Sequence, residues 1–137
     1  MKNEEFVNQV NSGHFPEGPE VPLDPAFEDA RGKIQNIWLG DSKSVTVITS
    51  KKGSVRANHK HQNDWHAIYV VSGILKYQIT TDDGVSDSTV YQSGQMFFTP
   101  PDLHHTVTAL KDTVFLTING IVKNHENYEN SIIRAST

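Results

Sequence analysis

The stretch "GSVRANHKHQNDWHAIYVVSG", residues Gly53 to Gly73, sets three histidines, His59, His61 and His66, within eight residues. In a strand, side chains two apart share a face, so His59 and His61 would present two imidazoles side by side, close enough to share one metal ion. His66 opens the next apolar run, and a tight reversal through "QND" would return its ring to the same centre, as a further ligand or as an acid–base group beside the ion. A fourth donor must come from elsewhere, and "PPDLHH" supplies His104 and His105 with opposite strand parity. The chain has no cysteine, so a transition-metal site must be built from imidazoles, carboxylates or amides. Imidazole donors suit divalent Zn, Fe, Mn, Ni or Cu, and the spacing does not choose among them. The plain alternative is three separate polar side chains, which is the reading for the lone His14 and His125.

Strands must position these groups. From Arg31 onward, short runs of β-branched and aromatic residues alternate with turn residues, giving candidate strands at Lys33–Leu39, Val45–Ser50, Ser54–Lys60, Trp65–Ser72, Ile74–Thr81, Ser88–Gln92, Gln95–Thr99, His104–Ala109 and Val114–Val122. "KKG", "DDG" and the two "SG" pairs are turn chemistry. Many short strands without a long helix predict a sandwich or barrel. Ahead of them, Phe6, Val7 and Val10 suit a short helix within Met1 to Asn11, and "FPEGPEVPLDP" has prolines at a period of three, which predicts an extended arm. The aromatics are core by default, with Tyr69 and Tyr77 as candidates to place a hydroxyl in a barrel mouth.

At 137 residues the chain suits one domain, and its net charge of -4 with scattered Lys and Arg gives no attraction to nucleic acid or anionic membranes. It carries neither an apolar leader-like segment nor a run long enough to span a bilayer, so a soluble, cytoplasmic protein is the expectation.

The histidine region resembles the cupin superfamily. The first cupin motif, G-x5-H-x-H-x3–4-E-x6-G, is matched by Gly53, His59, His61 and Gly73, with His66 where the glutamate belongs. The second, G-x5-P-x-G-x2-H-x3-N, is matched by Gly94, Pro100 and His105, with Asp102 for the glycine and Ala109 for the asparagine. The resemblance implies an all-β fold, a double-stranded β-helix or jelly roll. It also implies one divalent transition metal ion per chain held by His59, His61, His66 and His105. Four neutral imidazoles would leave the ion its full double charge and make it a stronger Lewis acid.

Upstream, "FEDARGKIQNIWLG" is similar to the F-x-D-x-R-G opening of cupins that modify nucleotide-linked sugars, such as dTDP-sugar 3,5-epimerases and 3,4-ketoisomerases, through Phe27, Asp29, Arg31 and Gly32. Their G-x2-R-G-x-H segment is matched by Gly53, Arg56 and His59, with Ala57 for the second glycine. This second resemblance implies metal-free chemistry in which the histidine takes a proton next to a keto group, a tyrosine returns one and the arginine binds phosphate.

The sequence thus predicts a segment and arm over 1–26, a cupin barrel over 27–125 and a tail over 126–137. It favours a metal-dependent enzyme acting on a small oxygenated molecule, plausibly a sugar or sugar acid, with His59, His66, Tyr69 and Tyr77 as candidate catalytic groups. A metal-free sugar-nucleotide epimerase or isomerase using His59 as base is the first alternative, and a non-catalytic small-molecule-binding cupin the second. Small barrels leave sheet edges that need covering, so a homodimer, with the arm Phe15–Pro25 crossing to the neighbour, completes the expectation.

Overall fold

The computed structural model describes residues 1–61, 64–121 and 132–134, with backbone only for 58–61 and 132–134. Helix α1 (Asn3–Asn11) is followed by β1 (Phe27–Asp29), β2 (Gly32–Ile34), β3 (Ser44–Ser50), β4 (Val55–His61), β5 (His66–Ser72), β6 (Ile74–Thr80), β7 (Ser86–Gln92), β8 (Met96–Thr99), β9 (His104–Ala109), β10 (Thr113–Asn119) and β11 (Ile132–Arg134). Two antiparallel sheets, ordered β3-β10-β5-β8 and β11-β4-β9-β6-β7, face each other as a jelly roll, and β1 and β2 form a separate hairpin. Alternation in β3, β9 and β10 turns one side-chain set toward the space between the sheets. That set is apolar toward one end, with Val70, Leu75, Phe97 and Phe115 packed together.

A second core lies on the outer face of the β3-β10-β5-β8 sheet. There Phe6, Val7 and Val10 of α1 pack on Trp65, Ala67, Met96, Phe98 and Ile118. Asn3 pins the layer. It is fully buried, its Nδ2 donates to the carbonyls of Pro22 (2.8 Å) and Ile37 (2.9 Å), and its Oδ1 accepts from the Leu39 amide (2.8 Å). These bonds explain a departure from the predicted strand Lys33–Leu39. Only Gly32–Ile34 is strand, and the following residues turn Ile37 and Trp38 into the second core instead of pairing.

The proline-rich segment does not project as a free arm, which corrects the expected extension. It folds back along its own barrel: the Phe98 amide donates to Pro19 O at 2.9 Å, Glu20 bridges to Phe97, and the Phe15 ring stacks on Phe98. The last strand of its sheet, β8, takes the segment as edge cover.

Among the described residues two non-glycines adopt positive φ, Ala57 at 70° and Asp102 at 63°, and these are the two positions where the sequence departs from the cupin glycines. Ala57 opens a bulge in β4. Pairing runs Ala57↔Thr106 and then His59↔His105, so Asn58 is the extra residue. Without it His59 would fall opposite His104. A left-handed alanine costs about 1–2 kcal/mol. Ala57→Gly should therefore raise the unfolding free energy by about 1 kcal/mol in urea titration, after the entropy cost of glycine. An unchanged or lower midpoint would mean the backbone is not strained there.

Candidate active site

Register sets one polar row across the first sheet. Thr99 lies opposite His66, His66 opposite Asn119, and Asn119 opposite Ser44. The facing sheet brings His105 on β9 and Tyr77 on β6 into the same interior, with ring centroids 6.1 Å apart. Below them Phe97 packs on Tyr77 at 4.6 Å. A polar end over an apolar floor is the form of a small-molecule pocket.

The groups differ in hydrogen bonding. His105 is buried, and its Nδ1 lies 3.0 Å from Leu103 O. A carbonyl only accepts, so Nδ1 carries the proton and Nε2 is the ring's basic nitrogen. Tyr77 is 1% exposed, and its hydroxyl makes no regular hydrogen bond among the described residues; those of Thr99 and Thr117 likewise lack one. Burial pushes the Tyr77 hydroxyl up to about 12, offset in part by the nearby Thr99 hydroxyl, so it stays protonated at neutral pH. The sign of the linkage is plain. Nothing is lost below the ordinary tyrosine pKa of about 10, and above it the unfolded chain releases a proton that the folded chain keeps. Stability should fall between about pH 10 and about pH 12, by up to about 1.4 kcal/mol per pH unit from this residue. Urea titrations at both ends of that range test it, and Tyr77→Phe should flatten the slope.

His66 is 6% exposed and engaged at both ring nitrogens, Nδ1 with Asn119 Oδ1 at 2.8 Å and Nε2 with Asp64 Oδ2 at 3.3 Å. Asp64 is fully buried and accepts the Gly120 amide at 2.9 Å. Tyr69 is not in the interior. It has the opposite parity on β5 and packs in the second core under α1, which corrects its candidacy. Arg56, for which the resemblance implies phosphate binding, instead holds the β3–β4 corner through Ser50 Oγ (2.6 Å) and Thr49 O (2.9 Å). The motif residues Asp29 and Arg31 close the β1–β2 turn: Asp29 Oδ1 accepts the Arg31 amide at 2.9 Å, and the guanidinium holds the carboxyl below its usual range. The side chains of His59 and His61, and all of His125, lie outside the described residues; the backbone register alone sets His59 opposite His105.

The sequence reading missed Asp64, Thr99, Thr117 and Asn119. A signal existed for Thr117 and Asn119, since in "TVFLTIN" they share parity with the buried Phe115, where an interior polar group is unusual.

The cupin domain model matches residues 46–119. The chain belongs to the cupin family. No curated protein sequence matches this cupin significantly. Among solved structures it is similar to the sugar 3,4-ketoisomerase of Thermoanaerobacterium thermosaccharolyticum in complex with TDP, at TM-score 0.69 and 17% identity over 82% of this chain and 85% of that one. The dTDP-4-dehydrorhamnose 3,5-epimerase of Sulfolobus tokodaii gives 0.67 and 17% over 81% and 73%. A 3,4-ketoisomerase of Helicobacter canadensis gives 0.69 and 16% over 82% and 87%. At these identities the likeness concerns the fold. Among the described residues no helix is long and apolar enough to cross a membrane.

These findings overturn the expected divalent Zn, Fe, Mn, Ni or Cu ion. The similar structures are epimerases and ketoisomerases, the class to which the second resemblance attaches metal-free chemistry. Among the described residues no three His, Asp or Glu side chains group to hold a metal. The physical reason is clearest at His66, the supposed ligand in the glutamate position. A metal needs a ring lone pair, and Asn119 and Asp64 occupy both nitrogens of this ring.

Proposed function

We propose that this cupin is a metal-free epimerase or ketoisomerase of nucleotide-linked keto sugars. The observation that carries the proposal is the buried Tyr77 hydroxyl, without a regular hydrogen bond, beside His105 with its Nδ1 tied to Leu103 O. A proton donor and an imidazole in one interior suit chemistry next to a carbonyl. A base removes the proton from the carbon adjacent to the carbonyl, leaving an enediolate. Return of a proton to that carbon from the opposite face epimerises it; where that carbon bears a hydroxyl, return to the former carbonyl carbon, with the hydroxyl proton passing to the other oxygen, moves the carbonyl. His59 is the proposed base, supported by its motif position and its register opposite His105; Tyr77 is the proposed donor. The buried Thr99 and Thr117 hydroxyls, which make no regular hydrogen bond among the described residues, suit the sugar. A nucleotide-sugar substrate also fits the expected cytoplasmic location.

The test is incubation with TDP-4-keto-6-deoxyglucose in deuterated water, followed by proton NMR. Loss of the signal from a carbon next to the carbonyl, with a new sugar product, supports the proposal. Absence of both exchange and TDP binding sinks it and favours a ligand-binding cupin of another class.

We also propose a homodimer, through a surface other than the arm. The hairpin partners Phe27 and Ile34 are 63% and 70% exposed, and an isolated two-stranded ribbon is marginal in water. Val45 and Val47 on β3, the other end strand of its sheet, are also exposed, beside a groove lined by Ile37, Trp38 and Leu116. Light scattering at micromolar concentration should give a dimer, and Phe27→Asp with Ile34→Asp should give a folded monomer. A wild-type monomer would overturn the proposal.

A further inference from the structure

The buried His66 takes no part in the proposed proton transfers. We infer that His66 is a positioning residue, held as a doubly protonated imidazolium between Asn119 and Asp64, and that this pair fixes the polar end of the barrel on which His105 and Tyr77 act. The kinetic part of this inference rests on the proposed reaction; the protonation state does not.

The argument starts from the amide of Asn119. Its Nδ2 lies near two carbonyls, those of Ser44 and Thr117, each at 3.4 Å, and near the hydroxyls of Ser44 and Thr46, each at 3.2 Å. Carbonyls only accept, and the Ser44 hydroxyl already donates to Ile121 O at 2.8 Å. Nδ2 is therefore the amino group, and Oδ1 is an acceptor. His66 Nδ1 at 2.8 Å from that oxygen must be N–H. On the other side Nε2 faces Asp64 Oδ2 at 3.3 Å, and a lone pair opposite a carboxylate oxygen would repel it. One proton belongs to that contact. The Gly120 amide donating to Asp64 Oδ1 favours the carboxylate, which puts the proton on the ring.

Each bond of the chain ties separate elements at one end of the barrel. Asp64 precedes β5, Asn119 and Gly120 end β10, and Ser44 begins β3. Thr99 lies opposite His66 on β8, so displacement of this ring moves the row facing the ligand. Asp64, before its own strand, faces the ring directly, and the other titratable side chains of the same interior are His105 on β9 and Tyr77 on β6; its neighbours on β8 and β10, Thr99 and Asn119, do not titrate, and the β4 backbone carries His59 and His61. With both nitrogens engaged, His66 orients the site and leaves the transfer of substrate protons to other groups.

Long-range proton–nitrogen NMR of the full chain labelled at histidine tests the state directly. At about pH 8, where an ordinary histidine is neutral, His66 should show both ring nitrogens protonated, and Asp64→Asn should abolish that signature. A singly protonated His66 that does not respond to Asp64→Asn overturns the inference. In turnover, His66→Gln should lower kcat by up to about a hundredfold with KM little changed, and the pH profile should keep the wild-type shape, as misplacement predicts. A profile that loses one limb would make His66 a proton-transfer group and overturn the positioning role. If wild-type protein turns over no sugar nucleotide, the proposed function fails while the NMR result still decides the state of His66.

Discussion

Tyr77→Phe should cost about 10²–10⁴-fold in kcat while the melting temperature holds or rises. The two halves of that result have one cause. Among the described residues the buried hydroxyl has at most the nearby Thr99 hydroxyl as a partner, and a poorly paired buried polar group costs about 1–3 kcal/mol. The ring supplies the packing, against Phe97 and near His105, and phenylalanine retains it. A residue kept for stability would behave in the opposite sense. With the hydroxyl pushed up to about 12, Tyr77 is a weak acid, suited to protonating an enediolate carbon more basic than itself. Activity within a few-fold of wild type in Tyr77→Phe would remove the residue from the mechanism.

The largest expected loss of stability is from the N-terminus. A chain starting at Ala26 would lose Phe6, Val7 and Val10 from the second core, along with the Val21 and Leu23 contacts. Burying each of the first three is worth about 1.5–3 kcal/mol, so the loss is on the order of 5 kcal/mol or more. Phe98, fully buried beneath Phe6 and Phe15, would become exposed, and the Ile37 carbonyl and Leu39 amide would lose Asn3 as their partner. The truncated protein should be unfolded or molten by near-UV circular dichroism. Asn3→Ala, which keeps every apolar contact, should lower the unfolding free energy by about 2–4 kcal/mol, since each orphaned buried group costs about 1–3. A truncated protein with a cooperative, near-wild-type transition would show that the helix is an ornament on the barrel.

Strand positions were legible because alternation and turn residues are local, and Val45–Ser50 or His104–Ala109 needed no long-range information. Both departures from the motif glycines were visible as well: Ala57 and Asp102 stood where glycine was expected, and both take the left-handed backbone. What alternation could not supply was the partner of each polar group. His66 looked like a ligand because its spacing fits one, but spacing carries no information about Asn119, 53 residues later, which holds its ring. Tyr69 and Tyr77 read alike as aromatics in strands, and only the choice of inner face separates them. The proline period could not show that the segment folds back along its own barrel, because edge pairing with β8 is a property of the assembled sheet.

The packing of α1 also sets an order of events during synthesis. The helix is translated before the barrel strands, yet its apolar face finds Trp65, Met96, Phe98 and Ile118 only after nearly all of the described chain has been made. At 9 residues it is too short to persist alone in water. Phe6, Val7 and Val10 therefore wait as an exposed apolar segment while the barrel forms, a window in which chaperones or other nascent chains compete for them. Closing the second core is then a late, long-range step. Such non-local contacts are slow to form, so refolding should end with docking of the N-terminus onto a barrel already paired.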